Sequence, residues 1–339
     1  MKILLIKRGA LGDILMATPL IRQIKQSFPD CQLDFLIANS FKVILENNPY
    51  IDNLIGLEGK LFTLKYLPIL LKRLIKFRNT YDYIFVLDKH YYFSFLAFII
   101  GGRKRIGFVR DFVANIFLTN NVRYKDLDRY QTLYYLDLLL VSKLATPNYD
   151  DINLDFFILP ENRIEVDKWL LENNLTEFIV VTNSGGNNEY ETSGIRMLPS
   201  DKIAELLKIL IKKNKVLLVG SSIDFINYNY YTEMIKDTNL LNLAGKFSLQ
   251  QTAYLLKKAE KIFTTDCGIM HLAISQQLNK KLICFFGPTN PAHVLPQGEI
   301  VFYWQDQDIF DKNYQLFGKI NNKKCFRKLD VKSFLLNKI

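Results

Sequence analysis

The chain has 339 residues, of which 49% are apolar and 23% are charged, and its formal net charge is +10. This length and composition predict two globular domains and exclude a disordered or fibrous protein. Four cysteines without CxxC spacing exclude a disulfide framework and a structural zinc site, so we expect a cytoplasmic protein with reduced thiols. The longest apolar run, 91–100, is too short to span a membrane, and the first residues lack the pattern of a secretory signal.

Strand-like and helix-like stretches alternate along the first half of the chain. The pattern predicts strands at 2–7, 32–38 and 83–88 and helices at 14–28, 41–47 and 68–78, with Pro19 kinking or delaying the first helix. Proline-containing turn segments at 145–165 mark a domain boundary. After it, strands are predicted at 178–182, 216–219, 261–265 and 282–286. Helices are predicted at 200–212, 249–258 and 272–277.

Short apolar runs between helices predict parallel sheets that are covered on both faces. We therefore expect an α/β protein with two Rossmann-like domains, 1–158 and 159–310, and a tail at 311–339 that could pack back on the first domain as a helix. Ligands bind such sheets at the carboxyl ends of the strands. Four residues follow predicted strand ends and could face one central cleft: Asp13, Ser184, Gly220 and Asp266.

Two strand–turn–helix segments carry most of the functional signal. In 266–271, Asp-Cys-Gly-Ile-Met-His, free N–H groups and the positive end of a helix dipole converge and favour a phosphate. The earlier turn at 9–13 places Asp13 at a helix start, where a carboxylate competes with phosphate for the same groups. We interpret Asp13 as a base beside an acceptor and 266–271 as a phosphate cradle; a helix N-cap is the alternative role for Asp13.

Basic residues are concentrated in one segment. Residues 60–110 contain eleven lysines and arginines and only two carboxylates, a net charge of +9, while the rest of the chain is nearly neutral. The predicted helix 68–78 has apolar Leu70, Leu71, Leu74 and Ile75 on one face. Its basic residues and the basic triplet at 103–105 are predicted to bind an anionic acceptor at a membrane surface, the alternative being a solvated face. These residues are Lys72, Arg73, Lys76, Arg103, Lys104 and Arg105.

Four motifs in order resemble the ADP-heptose:lipopolysaccharide heptosyltransferases of glycosyltransferase family 9. They are Lys7-Arg8-Gly9-Ala10-Leu11-Gly12-Asp13 with Thr18-Pro19, Leu243-Ala244-Gly245-Lys246, the segment 266–273, and Phe286-Gly287-Pro288-Thr289-Asn290-Pro291. The resemblance covers nearly the whole chain. It implies a GT-B fold and inverting, metal-independent transfer of heptose from ADP-heptose to a sugar of the lipopolysaccharide inner core.

The resemblance also implies roles for individual residues. Asp13 would be the catalytic base, with Lys7, Arg8 and Gly12 beside the acceptor, and Arg196 would contact the donor diphosphate. The nucleotide sugar would be a substrate, so no cofactor is expected. The donor would be held by Ser184, Gly185, Asp224, Phe247, Asp266, Cys267, Gly268, Ile269, Met270 and His271.

Several of these residues have structural alternatives. Asp224 could hold a ribose hydroxyl or cap a helix, Phe247 could line the adenine pocket or pack in the core, and His271 could contact phosphate or ribose or be a buried core residue. Tyr91, Tyr92 and Phe93 could stack on a sugar, although a buried strand edge is favoured.

The chain departs from the family pattern at four places. Cys267 stands where Ser or Thr is usual, Arg196 replaces lysine, Asn290 stands where Asp is common, and the segment 89–93 lacks an expected glutamine.

Other functions compete with the favoured one. They are transfer from another nucleotide sugar or to another acceptor, nucleotide-sugar 2-epimerisation, and non-catalytic nucleotide or membrane binding. The expected partners are a nucleotide sugar, an anionic lipid-linked oligosaccharide and the cytoplasmic face of the inner membrane, without nucleic acid.

Overall fold

The computed structural model describes residues 1–110, 112–124, 128–185, 194–296, 301–307, 309 and 325–336. The chain divides into two compact units, Met1–Phe156 and Phe157–Ile339. Each unit contains one six-stranded sheet in which all neighbouring strands are parallel. This architecture confirms the predicted α/β fold class.

The sheet of the first unit has the strand order β3-β2-β1-β4-β5-β6. Its central strand is buried on both faces, which is why Ile3–Ile6 is apolar without alternation. The strands are β1 (Lys2–Ile6), β2 (Gln32–Ala38), β3 (Asn53–Leu57), β4 (Tyr83–Val86), β5 (Lys104–Val109) and β6 (Asn120–Arg123). The helices are α1 (Leu11–Met16), α2 (Thr18–Ser27), α3 (Leu67–Leu74), α4 (Tyr91–Ile100), α5 (Phe112–Phe117) and α6 (Gln131–Ser142).

Local chemistry explains where the first helices begin and end. The predicted helix 14–28 is two helices, α1 and α2, which are separated at Ala17. Pro19 lies in the first turn of α2, where a missing N–H costs nothing. The predicted helix 41–47 is instead a 3₁₀ helix at Asn39–Ile44. The predicted strand edge at Tyr91–Phe93 is wrong, because these residues open α4. That helix is apolar on nearly all sides and so gives no helical period in the sequence.

The second unit repeats the same topology, with the strand order β12-β11-β10-β7-β8-β9. Its strands are β7 (Phe178–Thr182), β8 (Lys215–Leu218), β9 (Leu240–Asn242), β10 (Lys261–Thr265), β11 (Leu282–Phe286) and β12 (Phe302–Gln305). Its helices are α7 (Pro160–Glu172), α8 (Ser200–Leu210), α9 (Phe225–Ile235), α10 (Leu249–Lys258), α11 (Gly268–Ser275), α12 (Pro291–Val294) and α13 (Val331–Leu336).

The described part of the tail belongs to the core of the second unit. Val331 and Leu335 of α13 are buried there, and the ring of Phe334 lies 5.5 Å from that of Phe285 on β11. Apolar side chains on one face of α13 therefore find their partners within this unit. Most of the predicted tail, residues 310–324 and 337–339, lies outside the described residues.

Each sheet has a switch point where the order of its strands reverses. In the first sheet the point lies between β1 and β4, and in the second it lies between β7 and β10. Loops that leave the carboxyl ends of these strands diverge and open a crevice, which is where ligands bind in doubly wound sheets. None of the described helices is long and apolar enough to cross a lipid bilayer.

Candidate active site

The switch point of the first unit holds a buried lysine between two carboxylates. Lys7 follows β1 and is 3% exposed. Its Nζ lies 3.3 Å from Asp13 Oδ2 and 3.0 Å from Asp88 Oδ1. Burial alone would lower the pKa of Lys7, but the charges of Asp13 and Asp88 outweigh it and raise that pKa well above the ordinary value. Lys7 is therefore a fixed cation at the carboxyl edge of the sheet.

Asp13 lies in the first turn of α1, as predicted, but it does not cap the helix. The N-cap position is Ala10, which has no side chain able to cap. The side chain of Asp13 is 35% exposed, whereas that of Lys7 is 4% exposed. Its carboxylate is thus held on one side by a buried cation and remains accessible to solvent, which is the situation expected for a base that meets a substrate.

Asp88 is a site residue that the sequence interpretation missed. It follows β4, the strand next to β1, and accepts hydrogen bonds from Lys7 Nζ at 3.0 Å and from the backbone N–H of Arg8 at 2.7 Å. These bonds fix the start of the Lys7–Asp13 loop. Gly12, also predicted near the acceptor, is the second residue of α1. The predicted strand 83–88 included Asp88, whereas β4 ends at Val86 and leaves the carboxylate in the loop beyond the strand.

The basic residues predicted to meet the acceptor do not join this cluster. Lys104 and Arg105 begin β5, so they and Arg103 lie at the amino edge of the sheet, opposite the carboxyl ends. Arg105 is committed to its own unit, because it donates to the carbonyl oxygens of Phe117 and Gly102, both at 2.8 Å. Lys72, Arg73 and Lys76 are exposed on α3 and the turn after it, and Ile75 is exposed there too, contrary to its predicted apolar role.

The switch point of the second unit holds an arginine–aspartate pair. Asp266 follows β10 and is 3% exposed. Its Oδ2 accepts a hydrogen bond from Thr289 at 2.6 Å and lies 3.3 Å from Nη1 of Arg196, which also donates to the Asp266 carbonyl at 3.1 Å. The side chain of Arg196 is 15% exposed. The Arg196 guanidinium and the N-terminus of α11 therefore both lie at the carboxyl end of β10, an arrangement that favours binding of an anion.

Asn183 holds the loop that carries Arg196. Its side-chain amide donates to the Leu198 carbonyl at 3.1 Å and its Oδ1 accepts from the Leu198 N–H at 2.7 Å. The next residue, Ser184, is tied to β10, because its carbonyl accepts a hydrogen bond from the Thr265 hydroxyl at 2.7 Å. The loop continues at 186–193, which lies outside the described residues.

The residues predicted to form the phosphate cradle, Gly268–Met270, are the first turn of helix α11. Cys267 is its N-cap residue, and its thiol is buried 3.4 Å from Thr264 Oγ1. Burial raises the pKa of this thiol, so Cys267 is neutral. The N–H of Met270 donates to the Cys267 carbonyl at 3.1 Å, whereas Gly268 and Ile269 lie in the first turn. His271 is 5% exposed within this helix.

Two predicted donor residues, Asp224 and Phe247, contact other side chains of the second unit. Asp224 Oδ2 accepts from the N–H and hydroxyl of Ser221 at 2.8 and 2.7 Å, within the capping box of the short 3₁₀ helix Ser222–Asp224 that leads into α9. The ring of Phe247 packs edge-on against Trp169 with centroids 5.1 Å apart. The contacts of Asp224 match its predicted capping alternative, whereas Phe247 is half-buried beside Trp169 and does not pack in the core.

Among the described residues, no three His, Cys, Asp or Glu side chains are grouped as ligands for a metal ion.

The loop after β9 contains a glycine in the left-handed region. Gly245 has a φ of +73°, and a Cβ there would lie 2.9 Å from Cα of Ser222. Glycine is therefore required for the loops after β8 and β9 to approach each other.

Comparison with known proteins confirms the resemblance inferred from the motifs. Residues 195–330 match glycosyltransferase family 9 (heptosyltransferase). Lipooligosaccharide heptosyltransferase 2 of Haemophilus ducreyi is 26% identical over 306 residues, covering 87% of this chain and 86% of that protein.

Solved structures show the same fold. A family 9 glycosyl transferase from Veillonella parvula aligns with a TM-score of 0.80 at 20% identity, covering 99% of this chain and 95% of that one. ADP-heptose lps heptosyltransferase II of E. coli aligns with a TM-score of 0.70 at 21% identity, covering 92% and 95%. Residues 195–330 therefore match glycosyltransferase family 9, and the protein is a glycosyltransferase that resembles a lipooligosaccharide heptosyltransferase over most of its length.

Proposed function

We propose that the protein is an inverting, metal-independent heptosyltransferase that moves heptose from ADP-heptose to an inner-core sugar of lipopolysaccharide. The names of the Haemophilus and E. coli relatives support the sugar and the acceptor class. The observation that carries the proposal is the Asp13–Lys7–Asp88 cluster at the switch point of the first unit.

Asp13 is the proposed base. Glycosyl transfer requires that an acceptor hydroxyl lose its proton as it attacks the anomeric carbon. The accessible carboxylate of Asp13 can take that proton. Lys7 holds this carboxylate in place through an ion pair, and Asp88 in turn holds Lys7. A single displacement of this kind inverts the anomeric configuration.

Arg196 and the start of α11 form the proposed donor site. The leaving ADP gains negative charge as the glycosidic bond breaks, so a fixed cation and oriented N–H groups lower the barrier. The Arg196 guanidinium and the N–H groups of Gly268 and Ile269 supply these donors. This positive charge would take the role that a divalent cation has in metal-dependent transferases, which is the basis for proposing metal independence.

The exposed basic residues are proposed to contact the membrane rather than the reacting sugar. Strand β5 has six residues, so its two ends are roughly 20 Å apart, and Arg103 is at the end away from the carboxyl edge. The segment after α3 lies at the same edge, because the Asn79 N–H donates at 2.8 Å to the carbonyl of Ile100, which ends α4 shortly before β5. Positive charge on this edge suits the anionic cytoplasmic face of the inner membrane.

The direct test is transfer by the purified full-length chain. ADP-heptose and a panel of other nucleotide sugars are offered with an inner-core acceptor, with and without EDTA, and the anomeric configuration of the product is read by NMR. We expect transfer from ADP-heptose alone, unaffected by EDTA, with inversion. Transfer from another donor would support the alternative donor, and release of a 2-epimer would support an epimerase; either result contradicts the proposal.

A matched pair of variants tests the base. Asp13→Asn should bind ADP normally but lose at least ~100-fold in turnover, the scale of a lost general base. The exposed carboxylate of Asp30 provides the control, and Asp30→Asn should keep full activity. Full turnover in folded Asp13→Asn would remove Asp13 from the mechanism.

A further inference from the structure

Helices α4 and α5 of the first unit expose a row of apolar side chains. Phe98 is exposed on α4, and the exposed residues of α5 are Phe112, Val113 and Ile116. The spacing i, i+1, i+4 places the three α5 residues on one side of that helix, whereas Ala114 on the other side is buried. We call the four exposed residues the apolar ridge.

Contacts between aromatic rings hold the ridge in place. The ring of Phe117, at the end of α5, lies 5.4 Å from that of Phe95 and 5.7 Å from that of Phe98, both on α4. Such aromatic pairs stabilise the packing of one helix on the other. The ridge therefore belongs to the packed unit, although Phe112 at its end is 77% exposed. Neighbouring apolar side chains that remain exposed in this way mark an interaction surface.

The topology of the sheet determines where the ridge lies. Strands β5 and β6 pair in parallel, and α5 connects the carboxyl end of β5 to the amino end of β6. The helix therefore runs back along the sheet, with Phe112 toward the carboxyl edge and Ile116 toward the amino edge. Its six residues span roughly 9 Å. A partner bound to the ridge thus lies beside the sheet and reaches toward the edge that holds Asp13.

Positive charge surrounds the ridge. Residues 98–123 contain five lysines and arginines and one carboxylate, a net charge of +4. The guanidinium of Arg105 lies 5.5 Å from the centre of the Phe98 ring, and Arg103 is exposed just beyond the end of α4. Apolar side chains beside basic ones are typical of a surface that binds an anionic bilayer, where lipid phosphates lie next to acyl chains.

The second unit has a comparable apolar row in the opposite electrostatic setting. Helix α9 and the turn before it expose four apolar residues at helical spacing, which are Ile223, Ile226, Tyr230 and Met234. Residues 222–237 contain three carboxylates and one lysine, a net charge of −2. An anionic bilayer repels a surface of this sign, so charge favours lipid at the ridge on α4 and α5 and not at α9.

We propose that the apolar ridge inserts into the acyl region of an anionic bilayer. This inference deepens the membrane contact of the proposed function and rests on it. The basic residues at the amino edge attract the unit to the surface, and Phe112 and Ile116 then enter the lipid. Because α5 reaches both edges of the sheet, insertion holds the carboxyl edge beside the membrane, where a lipid-linked acceptor can meet Asp13.

Vesicle binding measures the apolar contribution. The full chain is mixed with vesicles of phosphatidylglycerol and phosphatidylcholine, and bound protein is separated by flotation. Phe112→Ser should weaken binding by about 10-fold or more, because burial of a phenylalanine side chain corresponds to roughly 10–150-fold in a binding constant. This weakening should persist at high salt, which screens exposed charges. Ile226→Ser is the control, at a residue that is 78% exposed, and should bind as the wild type does.

A second measurement detects insertion directly. The environment-sensitive fluorophore NBD is attached at Ile116→Cys and, as a control, at Ile226→Cys. The four native cysteines are buried, so the introduced thiols react selectively. Vesicles should shift the emission of the label at 116 to the blue, because it enters an apolar medium, and should leave the emission of the label at 226 unchanged.

Three results would overturn this inference. They are unchanged vesicle binding by Phe112→Ser, equal losses in Phe112→Ser and Ile226→Ser, and an unshifted emission at 116. A dimer in vesicle-free sedimentation that Phe112→Ser dissociates would also overturn it, because the ridge would then bind a second copy of the chain.

The proposed function is tested separately from the insertion. If the ridge inserts but transfer from ADP-heptose fails, the insertion stands and the proposed activity is wrong. If the label at 116 does not shift but charge reversal on α3 still abolishes vesicle binding, the membrane contact is electrostatic only and the insertion is wrong.

Discussion

Asp88 offers the sharpest test of how the first site is built. Asp88→Asn removes a carboxylate that accepts from Lys7 Nζ at 3.0 Å and from the Arg8 N–H at 2.7 Å, in a side chain that is 14% exposed. Asparagine has nearly the same shape and can accept only one of these bonds well. The change therefore isolates the charge and one hydrogen bond from packing.

The expected loss of stability follows from those contacts. A hydrogen bond to a charged group contributes about 1.5–3 kcal/mol, and one such bond is lost. The penalty of ~3–5 kcal/mol for an unpaired buried charge is not expected, because Asp13 remains 3.3 Å from Lys7. We expect a destabilisation of about 2 kcal/mol, which for a unit of this size lowers Tm by about 4–8 °C.

The pH dependence of this loss has a definite sign. The pKa of Lys7 is raised in the folded state, so its contribution is complete below the unfolded value and disappears only as the pH rises through the folded value. The unfolded value is about 10.4, so the destabilisation by Asp88→Asn should be the same at pH 6 and pH 9. A loss that varies across this range would contradict the assignment of Lys7 as a permanent cation.

Calorimetry of the full chain measures the effect, with a control on the same strand. Asp82 lies just before β4, accepts the Lys2 N–H at 2.9 Å and is 35% exposed. Asp82→Asn should therefore cost less than about 1 kcal/mol. If both variants lower Tm equally, the Lys7–Asp88 pair contributes no more than a surface interaction and the reasoning fails.

Three further variants test the rest of the molecule. Arg196→Met should weaken ADP binding by roughly 10–150-fold in isothermal titration, the loss of one charged hydrogen bond, and unchanged affinity would argue against a diphosphate contact. Gly245→Ala should destabilise the second unit by about 2 kcal/mol or more, because its φ of +73° disfavours a side chain and the new Cβ meets the Ser222 backbone. Gly59→Ala is the control and should be nearly neutral in thermal melts, because no atom lies within 4 Å of the position of its new Cβ. Charge reversal at Lys72, Arg73 and Lys76 should abolish binding to anionic vesicles at low salt and raise the acceptor KM. The control is charge reversal at the end of α8, at Lys208, Lys212 and Lys213. Equal vesicle binding by the two variants would show that the basic segment is only a solvated face.

Local chemistry was sufficient to predict much of the fold. Buried parallel strands are apolar without alternation, so β1, β2, β7, β10 and β11 stand out in the sequence. Proline fixes a helix start at α2, and glycines mark the turns at both sites. The α/β class and the placement of Asp13 in a first helical turn followed from these signals. By contrast, α4 is apolar on nearly all sides and has no period to read.

Partnerships between distant residues were decided by the tertiary structure. Lys7 and Asp88 are 81 residues apart, and they meet only because β1 pairs with β4 in parallel register, which brings their carboxyl ends together. The parallel pairing of β4 with β5 places Arg103 at the opposite edge, although a count of charge along the chain groups it with Lys89. The sequence left open whether Asp224 contacts a ligand or caps a helix, and in the structure its carboxylate accepts from the hydroxyl of Ser221 in a capping box. Sequence spacing determines which side chains a turn presents, whereas strand order and register determine which turns are neighbours, and the candidate site depends on both.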